Sequence, residues 1–329
     1  PPSVLFRSFV QKSNRTPISC KSLSLLSLLC ASVPLGEKKY LSKIIWNINE
    51  YFSLYFPSKI NMYLNDFFLY LRYISVSLKS QMQYKVSFLL QVVGQLLGTG
   101  VEFFGIWALF SRFNSIGTWT LSEVALFYAM VNISFACADA LGRGFDSFGR
   151  IIKNGDFDRL LLRPRTTVLQ LLGTEFTLKR IGRFSQGIVV MWWSLSTLHI
   201  PLNVKTLWLL GSSFIGAIAL FLGIVIVQAT ITFWTIESLE IMNILTYGGV
   251  ETAQYPFSIY SKWFQRFFTY FIPLACVSYF PLLAVLEKQD TFLVPLWFCY
   301  VSPMAGILFL IVALQFWKLG ERYYCSTGS

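Results

Sequence analysis

Acidic residues inside apolar stretches are the side chains of this sequence best able to do chemistry. Glu102 and Glu251 lie within long apolar runs, whereas Asp139, Glu237 and Glu240 fall near the ends of such runs. An ionisable group at membrane depth costs free energy, so it usually faces a bundle interior or a water-filled path. We therefore interpret Glu102 and Glu251 as candidates for a transport pathway or for helix packing.

Motifs for nucleotide binding, metal binding and hydrolysis are missing from the sequence. It contains no G-x-x-x-x-G-K-[ST], no H-E-x-x-H and no G-x-S-x-G. The six cysteines have no paired spacing and there is a single histidine, so no zinc or iron–sulfur ligand set can be drawn. We expect a chain that is not an enzyme, with no catalytic residue and no cofactor or metal of its own.

A basic segment between two apolar runs could bind a partner. Gly142–Pro164 carries five Lys and Arg residues. Its Phe145, Phe148 and Ile152 recur at spacings of three and four, which predicts an apolar face on a short helix. A loop that only fixes topology would explain the arginines. It would not explain these phenylalanines or Phe157, which need a surface to cover them, and we therefore interpret the segment as a docking surface.

The composition excludes an ordinary soluble domain. The 329 residues are 55% hydrophobic and only 13% charged, and the mean hydropathy is +0.57. The net charge of +11 could suggest nucleic acid, but the basic residues lie between apolar runs, as membrane topology requires. We expect an integral membrane protein that contacts lipid and binds no nucleic acid.

Residues 1–61 differ from the rest of the chain. They are rich in serine, contain no acidic residue before Glu37, and precede the first methionine, Met62. An organelle transit segment has this composition. An upstream extension, disordered or outside the working protein, is the interpretation we favour, which leaves residues 62–329 as one transmembrane domain.

Six membrane-spanning helices are predicted after an amphipathic interfacial helix over Asn65–Lys85. Five of the spans are expected at Val86–Phe110, Leu121–Leu141, Phe184–Leu202, Val204–Trp234 and Phe292–Phe316, and a mixed-polarity helix over Thr166–Arg183 precedes the third. The sequence leaves two alternatives for the fifth span. It is either Phe267–Leu286, or Ile236–Tyr255 followed by a re-entrant hairpin over Pro256–Leu286.

Small residues and basic residues add two further expectations. Close helix packing is predicted at Gly94, Gly98, Gly211, Ser212, Gly216 and Gly223. The excess of Lys and Arg around the first span, in the central basic segment and after the last span predicts that these regions and both termini are cytoplasmic.

From about Met62 to Ser329 the chain resembles the permease subunits of ABC-2-type transporters, most closely the bacterial branch. The residues that carry the resemblance are LKSQMQYKVSFLLQ at 78–91, GRGFDSFGRIIKNGDFDRLLLRP at 142–164, FWTIESLEIMNILTYGGVETAQYP at 233–256, IPLACVSYFP at 272–281 and the terminal STGS. The resemblance implies an all-α fold of six spans with a cytoplasmic coupling helix, and it favours the re-entrant hairpin before the last span.

The same resemblance implies a function and partners. The chain would be the cell-membrane permease of an ATP-driven exporter, pairing with a second permease, identical or homologous, and with two cytoplasmic ATPase subunits that hold ATP and Mg²⁺. The residues that would lie on or near the ATPase-coupling surface are Phe145, Phe148, Arg150, Ile152, Asp156, Phe157, Asp158 and Arg159. The alternative is a stand-alone ion channel or ion-coupled carrier.

Overall fold

The computed structural model describes residues 59–177, 180–235, 240–288 and 295–326. Residues 1–58 of the predicted extension and the acidic Glu237 therefore lie outside the described residues. Within the described ranges the regular elements are helical, apart from one bridge between Ile116 and Trp119 in a loop. The predicted all-α class is confirmed for this part of the chain.

The helices follow one another with short connections. The first seven are α1 (Lys59–Gln83), α2 (Lys85–Phe113), α3 (Leu121–Asp146), α4 (Phe148–Lys153), α5 (Asp156–Leu161), α6 (Thr167–Thr174) and α7 (Ile181–Thr197). The others are α8 (Val204–Thr235), α9 (Glu240–Ala253), α10 (Lys262–Arg266), α11 (Phe280–Val285), α12 (Leu296–Val301) and α13 (Met304–Tyr323). Two π-helical turns, Phe267–Phe271 and Ala275–Tyr279, lie between α10 and α11.

Four helical segments of the described chain are long and apolar enough to cross a membrane: α2, α3 continued by α4, α8 and α13. A fifth is added if the bent pair Lys262–Phe271 and Ala275–Val285 forms one span. The predicted third span corresponds to α7, which has 17 residues. At 1.5 Å per residue it covers about 25 Å, less than a ~30 Å hydrocarbon core. The predicted total of six spans is not confirmed.

The region before the last span bends sharply. Lys262–Phe271 and Ala275–Val285 meet at 86°. Pro273 lies at the break and has no backbone N–H, so it kinks or breaks a helix at this position. A fifth span over Phe267–Leu286 would therefore be a broken helix, and neither alternative for this span is confirmed. The geometry is that of a broken span or a re-entrant hairpin, and α9 before it has only 14 residues.

Two further boundaries differ from the predictions. The continuous helix over Thr166–Arg183 is wrong, because α6 ends at Thr174 and Glu175 has an extended backbone. The Phe176 carbonyl, just beyond, accepts a hydrogen bond of 2.9 Å from Ser77 of α1, a contact that no local pattern shows. The last span is also shifted: α12 ends before Pro303, and α13 then continues beyond Phe316 to Tyr323.

Helix α3 forms the centre of the core. Nearly all of its side chains are buried, and it packs against α7 and α8, while α8 packs along α13. The close contact of α8 with α13 depends on glycine: a Cβ on Gly306 would collide with the carbonyl of Gly216. Close packing is thus confirmed at Gly216 and Gly223. The prediction of close packing is wrong within this chain for Gly94, Gly98 and Gly211, where a Cβ would meet nothing within 4 Å.

Candidate functional site

The predicted docking segment folds into two short helices at the end of α3. Helices α4 and α5 are joined through Gly155, whose φ of 72° is the left-handed conformation that glycine adopts without strain. We call Phe148–Leu161 the elbow. It lies against the later part of α8 and α13, with which it shares one hydrophobic cluster.

The aromatic residues of this region are interior residues. Phe145, Phe148, Ile152 and Phe157 are at most 3% exposed. The interpretation that they need a partner to cover them is wrong, because this chain covers them itself. The rings involved are Phe233 of α8, Trp317 of α13 and Tyr324 just after α13, which lie 4.8 to 5.4 Å from Phe148 or Phe157 between centroids.

The surface of the elbow is basic. Arg150 and Arg159 have side chains that are 76% and 75% exposed, and Lys153 is exposed as well. Each arginine has only a loose carboxylate neighbour: Arg150 lies 3.9 Å from Glu175, and Arg159 lies 3.4 Å from Asp156. Such exposed pairs contribute little free energy and leave the positive charge available to a partner.

The elbow continues into an exposed apolar and basic tip that the sequence interpretation missed. Leu161 and Leu162 are 46% and 86% exposed, and Arg163 beside them is exposed too. These leucines lie in the same segment as the predicted residues, but helical spacing gave no signal for both, since Leu161 follows Phe157 by four positions and would share its face. The uncovered apolar residues of the segment are therefore leucines, and the phenylalanines are core.

Hydrogen bonds fasten α6 to the end of α13 and to the elbow. The indole Nε1 of Trp317 donates to Thr167 Oγ1 at 3.0 Å and to Glu321 Oε1 at 2.9 Å. Gln170 of α6 donates to the Leu160 carbonyl at 3.0 Å. These bonds are buried or half-buried, so the elbow, α6 and α13 are held together by polar contacts as well as by aromatic packing.

The stretch after α13 also contacts the elbow. The Ser326 hydroxyl donates to the carboxylate of Asp158 at 2.6 Å, and the Tyr324 ring packs against Phe157. Burial raises the pKa of the Tyr324 phenol, and the neighbouring Asp158 carboxylate acts in the same direction. Tyr324 is therefore neutral at physiological pH, which suits its place against an aromatic cluster.

Glu102 belongs to a polar cluster between α2, α3 and α7. Its Oε1 lies 3.4 Å from Nη2 of Arg183, whose side chain is 8% exposed and whose guanidinium lies 5.4 Å from the Phe135 ring centroid. Arg183 compensates the charge of Glu102, so the helix-packing interpretation of Glu102 has a specific partner. From the sequence, Arg183 is predicted only to end a mixed-polarity helix. A sequence signal for the packing role of Arg183 was present: it follows Arg180 by three positions at the start of an apolar helix, so the two side chains share one face.

A second ion pair extends the same cluster. Arg180 binds the buried carboxylate of Asp139 and donates to Gln95 Oε1 at 3.0 Å. Further along α2, the Thr99 carbonyl accepts hydrogen bonds from Tyr128 at 2.9 Å and from Gln186 at 2.8 Å. Arg180, directly before α7, and Gln186 within α7 thus link this helix to α2 and α3.

Glu251 lies near enough to the Glu102–Arg183 pair to interact electrostatically with both charges. It is exposed on α9, and in the described part of the chain no basic side chain lies within 4 Å of its carboxylate. A pathway role for Glu251 stays a prediction. The described residues also contain no group of three or more His, Cys, Asp or Glu side chains arranged to hold a metal ion.

Comparison with known proteins identifies the family. The model of the family described as ABC-2 family transporter protein matches residues 96–328, which is well over half of the chain. No curated protein and no solved structure matches it. The matched range contains the elbow, the bent pair of helices and the polar cluster except for Gln95. The chain therefore belongs to the ABC-2 transporter family and is a membrane permease of an ABC transporter.

Proposed function

We propose that this permease is the membrane subunit of an ATP-driven exporter and that the basic face of the elbow docks on a cytoplasmic ATPase. One observation carries the proposal: the elbow exposes a cationic surface on one side, while its other side is packed into the ends of α8 and α13. A partner that pushes on the exposed side would move two membrane-length helices directly. Export as the direction follows the family resemblance.

The charge distribution supports a protein partner at this surface. Arg150, Lys153, Arg159 and Arg163 are all exposed, and Leu162 supplies an apolar contact beside them. A cationic rim around an apolar anchor complements a groove with acidic margins. Among the predicted coupling residues, Arg150 and Arg159 would make the contact, and Asp156 and Asp158 would support the elbow from its edge and from the stretch after α13.

The buried residues have a different role in this proposal. Phe145, Phe148, Ile152 and Phe157 transmit movement and do not touch the partner. Because packed aromatic cores resist deformation, the elbow would move together with Phe233 and Trp317 and would not bend separately from them. ATP and Mg²⁺ would be bound by the partner, and the hydrolysis would take place there.

The proposed assembly contains two permeases and two ATPase subunits in the cell membrane, with both permease termini in the cytoplasm. Helix α2 supports the pairing of permeases, because most of its apolar side chains are exposed in the single chain. Gly94 and Gly98 lie on it four residues apart, and neither meets another part of the chain. This spacing allows two helix backbones to approach each other in a bilayer.

Charge reversal on the elbow tests the docking. We expect the variant Arg150→Glu/Arg159→Glu to lose association with the ATPase subunit encoded beside it, and to lose the ATP turnover that depends on the complex. The variant should insert and fold normally, since both side chains are exposed. The control Arg112→Glu/Lys205→Glu makes the same change of charge at exposed positions outside the elbow. It should keep both the association with the ATPase subunit and the ATP turnover.

Two results would contradict the proposal. An elbow variant that binds the ATPase and supports turnover like the unaltered chain would mean that docking takes place elsewhere. Ion flux through the purified chain in vesicles without any ATPase would instead support a stand-alone channel or carrier. The Glu102–Arg183 pair does not favour that alternative, since the two charges compensate each other.

A further inference from the structure

An apolar groove opens beside the bend between α10 and α11. It has a volume of about 580 Å³ and lies between the bend, α8, α9 and α13. Ile272 and Pro273 form its wall on the bend, and Ile224, Phe309 and Val312 contribute from α8 and α13. Tyr270, Phe271, Leu308 and Val312, all lining residues, are 58–83% exposed, so the groove opens to the outside of the chain.

Two of the three polar side chains that line the groove already have partners, and the third, Tyr270, is 83% exposed. The Thr269 hydroxyl donates to the Gln265 carbonyl at 2.7 Å, and the Cys276 thiol faces the Thr269 carbonyl at 3.8 Å. The wall is therefore largely apolar and offers a polar ligand few hydrogen bonds. An apolar chain is the type of ligand that such a surface holds.

Positive charge lies at one end of this groove. Lys262 and Arg266 are exposed on α10, and Arg266 precedes the lining residue Tyr270 by four positions, about one helical turn. Within the described residues no carboxylate lies within 4 Å of either side chain, and the sequence has no acidic residue from Thr252 to Leu286. The pair is thus an uncompensated cationic site beside an apolar groove.

Aromatic residues connect the cationic end to the groove. Trp263, 69% exposed, stacks on Phe267 at 6.3 Å, and Phe267 stacks on the lining residue Phe271 at 5.3 Å between ring centroids. Tryptophan and tyrosine with basic neighbours are characteristic of the boundary between headgroups and acyl chains. This arrangement places a site for an anion and a site for a hydrocarbon chain on one continuous surface.

We propose that this surface binds an anionic phospholipid of the surrounding bilayer, with the headgroup phosphate at Lys262 and Arg266 and an acyl chain in the groove. The cationic end complements the phosphate, and the groove complements the chain. A bilayer lipid has both parts and is present at every membrane-depth surface. The inference does not depend on ATPase docking, because it concerns a different part of the chain.

Native mass spectrometry of the detergent-solubilised full chain tests the headgroup contact, with phosphatidylglycerol and phosphatidylcholine of identical acyl chains as probes. We expect tighter binding of phosphatidylglycerol, and about 25-fold weaker binding of it by Lys262→Gln/Arg266→Gln, since two basic side chains each contribute about a factor of five. Arg112→Gln/Lys205→Gln removes the same charge elsewhere and should bind like the unaltered chain. High salt should weaken binding to the unaltered chain.

A groove variant tests the acyl-chain contact. Val312→Trp fills the groove from α13 and should reduce phosphatidylglycerol binding without changing any charge. Ile215→Trp places the same ring at a position of α8 that is 61% exposed and does not line the groove, so it should have no effect.

Several outcomes would overturn the proposal. Equal binding of the two lipids, or unchanged binding by the Lys262→Gln/Arg266→Gln or the Val312→Trp variant, would each do so. If Val312→Trp dissociated a pair of chains and left lipid binding unchanged, the groove would be covered by a second copy of the chain.

Discussion

Phe148 lies at the centre of an aromatic cluster that joins three parts of the chain. Its ring lies 5.3 Å from Phe157, 5.0 Å from Phe233 and 4.8 Å from Trp317 between centroids, and its side chain is fully buried. Edge-to-face and tilted ring pairs at these separations stabilise a core beyond the area that they bury. At the residue scale, Phe148 is therefore a packing residue of the elbow.

Substitution of Phe148 should reduce stability before it affects coupling. We expect Phe148→Ala to lower the free energy of unfolding by about 3–5 kcal/mol, and Phe148→Asp to prevent stable folding, because its charge would be buried without a partner. Thermal melting in detergent measures both. Phe113→Ala, at a position 64% exposed, is the control. A Phe148→Asp chain with an unchanged melting temperature would show that the ring is accessible after all.

The pair formed by Glu102 and Arg183 is also best understood at the residue scale. Arg183 is the more deeply buried partner, and its Nε has no hydrogen-bond acceptor among the described residues. Its guanidinium therefore depends on Glu102 and on the Phe135 ring for compensation.

Removing one charge of this pair should cost more than removing both. We expect Glu102→Gln to destabilise the chain by about 3 kcal/mol, because it removes the carboxylate paired with a buried cation, and Glu102→Gln/Arg183→Met to recover part of that loss. A double-mutant cycle on the unfolding free energy measures the difference. Strictly additive effects would mean that the two side chains do not interact.

At the scale of elements, the contact between α8 and α13 is the main route from the elbow into the membrane. Both helices bring their later residues, Phe233 and Trp317, to the aromatic cluster. Along their length they approach closely at Gly216 and Gly306. The two helices are therefore expected to move as a pair.

A methyl group at the glycine contact tests this close packing. Gly306→Ala should cost about 1–3 kcal/mol of stability, because its Cβ would overlap the carbonyl of Gly216 and force the helices apart. The control is Gly211→Ala, which lies in α8 with Gly216 but has open space around it. It should be neutral or stabilising by up to about 1 kcal/mol. Equal melting temperatures for the two variants would show that α8 and α13 separate without cost.

At the scale of the whole molecule, the single chain leaves one membrane-length helix without neighbours along much of its surface. Helix α3 is almost completely buried, whereas exposed side chains follow α2 from Val86 to Phe113. In the proposed assembly a second permease covers part of this surface and lipid covers the remainder.

A bulky residue on α2 should separate the paired chains. We expect Gly98→Trp to shift the purified permease from two copies to one in light scattering coupled to size exclusion, since the indole would block the approach of a second helix. Val189→Trp, at a position of α7 that is 66% exposed, should leave the pair intact. A pair that survives Gly98→Trp would exclude this face of α2 as the contact.

The sequence by itself determined the class of the protein and the position of most long helices. Composition required a membrane protein, and the uninterrupted apolar runs located α2, α3 and α8 to within a few residues, because a helix that crosses lipid must satisfy its backbone internally and present apolar side chains over its length. The motif residues also located the elbow, whose family role was inferred from resemblance.

Only the tertiary structure decided which residues of the elbow are accessible and which charges are paired. Phe148 and Leu162 are both apolar residues in one basic segment. Phe233 and Trp317, 85 and 169 positions after Phe148, cover Phe148 and leave Leu162 exposed, and local spacing does not reveal this. The partnership of Glu102 with Arg183 and the 86° bend at Pro273 are likewise consequences of packing between distant segments. Burial and charge compensation are set by neighbours in space, and in this chain those neighbours lie far apart in sequence.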